Sequence, residues 1–506
     1  MAGLGGTIEG VFAIDPAANA IDCDGVWWRW ADLARVKQAL EAILDEEGLG
    51  HGVRLGALLR NKPAHVAALA SIVSSARCVV TLNPVIPDDK LANEIRTLAL
   101  PAIIGSSGDW ARPALRQAAA DAGVLGIELP DAPQGAVRRI HGLERCASKM
   151  VRDAPGIAIE MLTSGTTGAP KRIPLKASLF EKMLNDATIY ERDRQGDDRP
   201  KLRKGVNFVM IPFAHMGGMW NIMNTLVSGR QAFLIDRFAV EPFVAAMRRH
   251  RPRAVSTPPA ILRMVLDAQV AKEDLASIVA WRTSTAPLDP DIADLFLERY
   301  GIPVLQVYGA TEFAGGVAGW TLEDFKLRGR DKRGSVGQLN PGIEGRVLDP
   351  ETKEVLPRGT EGMLSLRAVH LGNGKDWVET TDRAVLDADG FLWIKGRYDN
   401  SIIRGGFKIL PDDVVKILEK HPAVREAAVA GLRDARLGEV PVAAYIVKAG
   451  AETPDTEELR DFLRKHLSPY QIPERFLAVA ELPRTPSMKV SVEGVRALFE
   501  AGGVAR

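Results

Sequence analysis

The nine residues Thr163-Ser164-Gly165-Thr166-Thr167-Gly168-Ala169-Pro170-Lys171 put four hydroxyls, two glycines and a lysine into one short stretch. Hydroxyls donate to phosphate oxygens, glycines let the backbone turn and come close to a ligand, and Lys171 adds a full positive charge. Such a loop suits a triphosphate. Apolar runs from Ile157 to Leu162 and from Arg172 to Leu175 read as strands, so the loop is expected at the tip of a hairpin. It is not a Walker A loop: no Gly-Lys-Ser/Thr follows Gly165 at the required spacing, and no helix signature begins there. By composition alone the same residues would also make a plain surface turn.

Other groups able to do chemistry are spread along the chain. Tyr308-Gly309-Ala310-Thr311-Glu312 follows a strand, at the carboxyl end where a parallel sheet presents its ligands. Glu312 offers a hard oxygen suited to magnesium, and Thr311 a hydroxyl for phosphate or metal. Trp377-Val378-Glu379-Thr380-Thr381-Asp382 and Gly396-Arg397-Tyr398-Asp399 carry further charges, which by themselves would be surface charges. Paired glycines in Arg404-Gly405-Gly406-Phe407-Lys408 allow close backbone approach to another surface, or a simple turn. Lys489, near the chain end, would by itself be a solvated charge. His215 has no partner at metal-ligand spacing, and Phe213, Met216, Met219 and Trp220 suit an apolar pocket and a core equally.

The order of these segments resembles the adenylate-forming superfamily of acyl-CoA synthetases, peptide-synthetase adenylation domains and luciferases. Asn61-Lys62-Pro63 and Leu82-Asn83-Pro84 are similar to its first segments, and Leu482 to Lys489 to its tail signature, with Met488 in place of the usual glycine. The resemblance implies that Thr163 to Lys171, Thr166 included, grip the phosphates. It places Gln306, Tyr308, Gly309, Thr311 and Ala286 around AMP, Asp382 and Arg397 on the ribose, Glu312 on magnesium and Lys489 at the reacting groups. His215, Met216, Trp220, Ser284 and Thr285 would line the acyl pocket. Asp399 would be a hinge, about which Lys489 gives way to a coenzyme A channel of Gly405, Gly406, Phe407 and Lys408. The chain departs from the pattern at Thr381, where glycine is usual, and threonine there would be strained if the backbone needs positive φ. Thr283-Ser284-Thr285-Ala286-Pro287-Leu288 replaces both glycines of the family's Ser-Gly-Gly-Ala-Pro-Leu, which implies a narrower pocket.

The implied reaction is acyl-CoA synthesis: ATP-dependent adenylation of a fatty or aryl carboxylic acid, then thioester formation with coenzyme A. The cofactors and co-substrates are ATP, Mg2+ and coenzyme A. An enzyme loading a separate carrier protein and a nucleotide-binding protein without turnover are the alternatives.

These residues need elements to hold them. Strand, helix, strand repeats from His51 to Gly105 and again from Val206 to Val307, the second preceded by a helix over Phe180 to Arg192 and including a helix Met219 to Leu226 and a last strand Val304 to Val307, predict two α/β layers with parallel sheets. Short runs between turn signals, from about Gly329 to Lys395, predict a small antiparallel unit, and the last 110 residues or so a small α+β domain. The fold class is therefore α/β, with an N-terminal domain over 1–398 and a mobile C-terminal domain over 399–506. Trp27, Trp28 and Trp30 read as packing residues ahead of a helix from Ala31 to Glu46. At 506 residues, with 46% hydrophobic and 25% charged residues, the chain is an ordinary multidomain globular protein. A net charge of +1 gives no reason to expect nucleic acid. No run reaches the length of a membrane span, no secretory signal opens the chain, and the three cysteines form neither a disulfide framework nor a zinc pattern. A cytoplasmic address is expected, and pairing into a homodimer is left open.

Overall fold

The computed structural model describes residues 3–147, 153–162, 172–186, 200–310, 313, 315–369, 371, 374–404, 407–434, 436–485 and 488–501. Contacts divide the chain into two compact units that meet in sequence at Arg333 and Gly334.

In the first unit one sheet runs, in spatial order, Arg138–Arg139, Leu125–Leu129, Ala102–Ser106, Arg54–Leu58, Cys78–Leu82, Ile157–Leu162 and Arg172–Lys176. Its inner strands are parallel and only the two edges antiparallel. Every residue of Arg54–Leu58, Cys78–Leu82 and Ala102–Ser106 is buried, as the helix-covered strands of a parallel sheet must be. The crossover helix Pro63–Ser74 opens on proline, whose missing N–H costs nothing in the first turn.

The second sheet of this unit runs Gly315–Gly319, Val304–Ala310, Ala280–Thr283, Ala254–Thr257, Arg203–Val209, Arg230–Leu234, Asn19–Cys23 and Val26–Arg29. The two repeats expected from the sequence are thus both present. What the pattern did not reveal is the hairpin Asn19–Arg29, which joins this sheet through Arg230–Leu234, far along the chain. Trp28 and Trp30 are buried in its core, and the helix behind them spans Trp30–Glu46. The strand expected over Val304 to Val307 continues to Ala310, because Gly315–Gly319 turns back and pairs with it. A Cβ on Gly309 would overlap the Gly315 carbonyl, so the crossing requires glycine there. The helix expected from Met219 starts at Met216 and ends at Val227. Gly217 and Gly218 weaken its pattern, yet Gly218 packs where a Cβ would overlap the carbonyls of Ile211 and Pro212. The helix expected over Phe180 to Arg192 is described as Ala177–Asp186, and residues 187–199 lie outside the described part.

The second unit contains an antiparallel meander, Glu344–Leu348, Glu361–Arg367, Val378–Leu386 and Leu392–Arg397. Its other sheet has the spatial order Phe407–Ile409, Ile402–Arg404, Gly438–Val447 and Val424–Asp434, with Arg475–Ala478 alongside Gly438–Val447. Helices Pro411–Leu418, Thr456–Arg464 and Val492–Ala501 complete the α+β part. Tyr398, near the expected domain boundary, lies between these two sheets. The meander is tied to helix Pro411–Leu418 by Arg383, which donates to both oxygens of Asp413 at 3.0 and 2.5 Å, and by Gly396, where a Cβ would overlap the Asp412 carboxylate. Burial pushes the Asp412 carboxyl above its usual range, against the pull of Arg383. Among the described residues no helix is long and apolar enough to cross a membrane.

Helix Pro63–Ser74 buries His65, whose Nε2 has no partner among the described residues. Burial lowers its pKa from 6.5 to about 4; Asp109 opposes the shift, and Lys62 and Arg60 add to it. A folded-state value below the unfolded one gives stability that is present above pH 6.5 and lost as pH falls toward 4. His65→Phe should therefore flatten the pH dependence of the urea midpoint across that window. Equal slopes in parent and variant would contradict this assignment.

Candidate active site

The strands flanking the hydroxyl-rich loop pair antiparallel, with Leu162 opposite Arg172, as a hairpin requires. The loop residues Thr163, Ser164, Gly165, Thr166, Thr167, Gly168 and Lys171 lie outside the described residues, as do Thr311, Glu312, Gly405, Gly406 and the Lys408 side chain.

Sheet register assembles the next group. Gln306 stands opposite Thr283, so the segment Ser284, Thr285, Ala286 leaves its strand beside the one that carries Gln306, Tyr308 and Gly309. Both strands present their carboxyl ends here, the ligand side of a parallel sheet. The Ser284 N–H donates to the Thr257 carbonyl at 3.3 Å, which fixes where the turn begins. Thr285 then takes φ +74, a conformation β-branched side chains rarely adopt. Its Oγ1 is buried without a partner among the described residues. Its Cγ2 lies 3.4 Å from the position a Cβ would take on Gly217, so its methyl covers the start of helix Met216–Val227.

His215 is the N-cap residue of that helix, and its N–H donates to the Pro212 carbonyl at 2.9 Å. Of the apolar candidates around it, Phe213, Met216 and Met219 are buried in the core, while Trp220 is half-buried against it. The segment is held by Asn61. Its Nδ2 donates to the Ile211 and Ile235 carbonyls, each at 3.1 Å, and its Oδ1 accepts from the Phe213 N–H at 3.0 Å. Sequence reasoning used Asn61 only as part of a resemblance; the signal for its role was a polar residue at a strand end directly before a helix-opening Lys-Pro.

In the second unit Asp382 and Arg397 stand opposite each other on neighbouring strands. Arg397 donates from Nε and Nη2 to Thr381 Oγ1 at 3.1 and 2.6 Å, and from Nη2 to Asp399 Oδ2 at 2.7 Å. Its Nε is 3.6 Å from Asp382 Oδ1. Two carboxylates, a hydroxyl and a guanidinium are thus gathered within one corner, a set able to hydrogen-bond vicinal hydroxyls. Phe407 is exposed and stacks on Tyr470 at 4.9 Å. The Thr485 N–H donates to the Lys489 carbonyl at 2.7 Å.

Residues 11–374 match the AMP-binding enzyme family, and residues 415–489 the C-terminal domain of the same enzymes. The chain belongs to this family. The YdaB protein of Bacillus subtilis (strain 168) is 31% identical to it over 355 residues, 67% of each chain. 4-Coumarate–CoA ligase 3 of Oryza sativa subsp. japonica is 25% identical over 497 residues, covering 94% of this chain and 88% of the rice protein. The crystal structure of ATP-bound MatB from Rhodopseudomonas palustris superposes with a TM-score of 0.80 at 22% identity, over 98% of this chain and 99% of that one.

This AMP-binding enzyme departs from the glycine pattern at four described positions, of which Ser284 is not among the residues of positive φ. Thr285 and Met488 have φ +74 and +64, whereas Thr381 lies inside strand Val378–Leu386 and is not among the residues of positive φ. The strain anticipated at Thr381 is absent, and its hydroxyl serves Arg397 instead. Left-handed backbone costs a non-glycine residue about 1 to 2 kcal/mol, while glycine loses roughly 0.5 to 1 kcal/mol more conformational freedom on folding. Thr285→Gly should therefore stabilise the protein by about 0.5 to 1 kcal/mol, and Thr381→Gly should destabilise it by about 1 kcal/mol or more through the lost strand residue and hydrogen bond. Urea unfolding of the two variants checks the opposite signs.

Proposed function

We propose that the chain is an ATP-dependent carboxylic acid–coenzyme A ligase that passes through an acyl-adenylate. The observation carrying this reading is that one chain holds both the AMP-binding region and the C-terminal region of such enzymes, the second match ending on Lys489. The naming of the rice relative as a CoA ligase supports coenzyme A as the acceptor.

A carboxylate resists attack because its charge is delocalised. Adenylation joins one carboxylate oxygen to the α-phosphorus of ATP and releases pyrophosphate, giving a mixed anhydride with AMP as leaving group. The thiol of coenzyme A then attacks the acyl carbon, and AMP departs. In this reading Thr163 to Lys171 hold the β and γ phosphates, Gln306 and Tyr308 lie against the base, Gly309 and Ala286 border AMP, and Thr311 offers its hydroxyl to phosphate or metal. Asp382 accepts from the ribose hydroxyls, with Arg397 oriented by Thr381 and Asp399. Lys489 places positive charge at the reacting phosphoryl and carboxylate groups. Glu312, a hard carboxylate donor, would hold magnesium, which supplies neutralisation of phosphate charge when bound.

The acid would lie past His215, Met216 and Trp220, bounded by Ser284 and Thr285. The Thr285 methyl over Gly217 narrows that space and favours a small acyl group among the fatty and aryl acids. The domain boundary near Asp399 and a rotation there would exchange Lys489 for the segment Gly405, Gly406, Phe407, Lys408, leaving room for the thiol. A homodimer and a cytoplasmic setting are part of the same proposal.

ATP–pyrophosphate exchange with acetate, octanoate, palmitate and benzoate should give activity with at least one acid, and free coenzyme A should then yield its thioester. Exchange without thioester would favour a carrier-protein acceptor, and no exchange with any acid a protein without turnover. Lys489→Ala should lower exchange by about a hundredfold to a thousandfold. Thioester formation from supplied acyl-adenylate should change by no more than about threefold. Equal loss of both half-reactions would remove the lysine from the first step.

A further inference from the structure

Lys489 directly follows a residue of strained backbone, Met488, and the segments on both sides are well anchored. Arg484 and Val490 form an antiparallel bridge, and the Ser491 N–H donates to the Pro483 carbonyl at 2.8 Å. Leu482 is buried with Val495 and Phe499 of the last helix and with Ala428 and Ala430 of strand Val424–Asp434; Val490 packs against the same cluster. These contacts fix the two segments. The Met488 N–H donates to the Thr485 carbonyl at 2.8 Å, and Met488 is held at φ +64. A methionine has no side-chain hydrogen bond with which to support that conformation, unlike asparagine or aspartate. Support has to come from a neighbouring side chain.

Arg484 supplies it. Its Nη1 donates to the Met488 carbonyl at 3.0 Å, and its Nη2 to Glu426 Oε1 at 2.6 Å. Glu426 belongs to strand Val424–Asp434, where it pairs opposite Ile446. The side chains of Arg484 and Glu426 are only 24% and 14% exposed, so the pair is shielded more than a surface ion pair. One guanidinium therefore connects the sheet to the peptide group that joins Met488 to Lys489.

We propose that Arg484 and Glu426 are positioning residues for Lys489. They fix the lysine's backbone so that its long side chain delivers the ammonium group to one place during adenylation. This rests on the reading of Lys489 as the lysine of the first half-reaction. A lysine carries four rotatable side-chain bonds, and a displacement of about 1 Å at a reacting group can cost about a hundredfold in rate. A purely structural pair would affect both half-reactions alike, whereas a positioning pair affects the one that uses the lysine.

The test compares Arg484→Gln, Glu426→Gln, Lys489→Ala and the double variant Arg484→Gln/Lys489→Ala in the full chain. The substrate is the acid of the four named above with the fastest exchange, and its synthetic acyl-adenylate reports the second half-reaction. Arg484→Gln and Glu426→Gln should each reduce ATP–pyrophosphate exchange by about tenfold to a hundredfold. Thioester formation from the acyl-adenylate should stay within about threefold of the parent. In the Lys489→Ala background Arg484→Gln should cause no further loss, since coupled residues are not additive. Loss of exchange in Lys489→Ala with parental exchange in both Arg484→Gln and Glu426→Gln overturns the positioning role alone. Additive loss in the double variant, or equal loss of both half-reactions in the single ones, also overturns it. Parental exchange in Lys489→Ala overturns the lysine's role and this proposal with it. Glu426→Gln keeps the side chain's shape while removing its charge, so it carries the test should Arg484→Gln fail to fold.

Discussion

The geometry of the first unit depends on one buried amide. Asn61 leaves the first sheet at the carboxyl end of strand Arg54–Leu58 and spends both side-chain N–H groups and its oxygen on backbone groups of the second. Its own N–H donates to Asp236 Oδ1 at 3.0 Å. Two α/β layers packed by apolar faces alone could slide, because hydrophobic contact has no direction. Buried backbone groups must be paired, so the amide admits one relative placement. That placement puts the segment Ile211 to His215 just ahead of Gly217, where the Ile211 side chain and the Thr285 methyl both close in.

Much of this arrangement is legible in the sequence, and what is not has identifiable causes. Apolar runs such as Cys78–Leu82 announce buried parallel strands because a polar residue on either face needs a partner, as Thr81 finds in the Glu160 carbonyl. The apolar runs on either side of residues 163–171 announce a hairpin, and the strands they form do pair. By contrast, Asn19–Cys23 carries no local sign of its partner, since a parallel edge is chosen by packing far along the chain. The strand through Tyr308 and Gly309 is longer than its apolar run because the returning glycine-rich strand pairs with it at a distance only glycine tolerates.

Three threonine and methionine replacements make the same point at the scale of one residue. From the sequence, Thr381, Thr285 and Met488 are alike, each standing where glycine is usual. The structure separates them by backbone angle. Thr381 is an ordinary strand residue whose hydroxyl holds Arg397, while Thr285 and Met488 bear left-handed strain. Sequence spacing records which residue occupies a position, and φ is set by the chain on either side and by what packs there. The support that Met488 receives from Arg484 and Glu426 was likewise invisible, since the two residues are far apart along the chain.

The edge hairpin at Asn19–Arg29 has a consequence for the order in which the molecule is made. Ile21 pairs with Ala232, so the ribosome must add roughly 200 residues, about 10 to 40 seconds of synthesis, before the hairpin's partner exists. Through that interval Asn19–Cys23 lacks the strand it finally pairs with, although Phe12, the ring partner of Trp30, has already been made. The first sheet, built from residues 54–176, can close meanwhile. The second is finished from both ends of its sequence, and its early strand waits for the later ones to reach it.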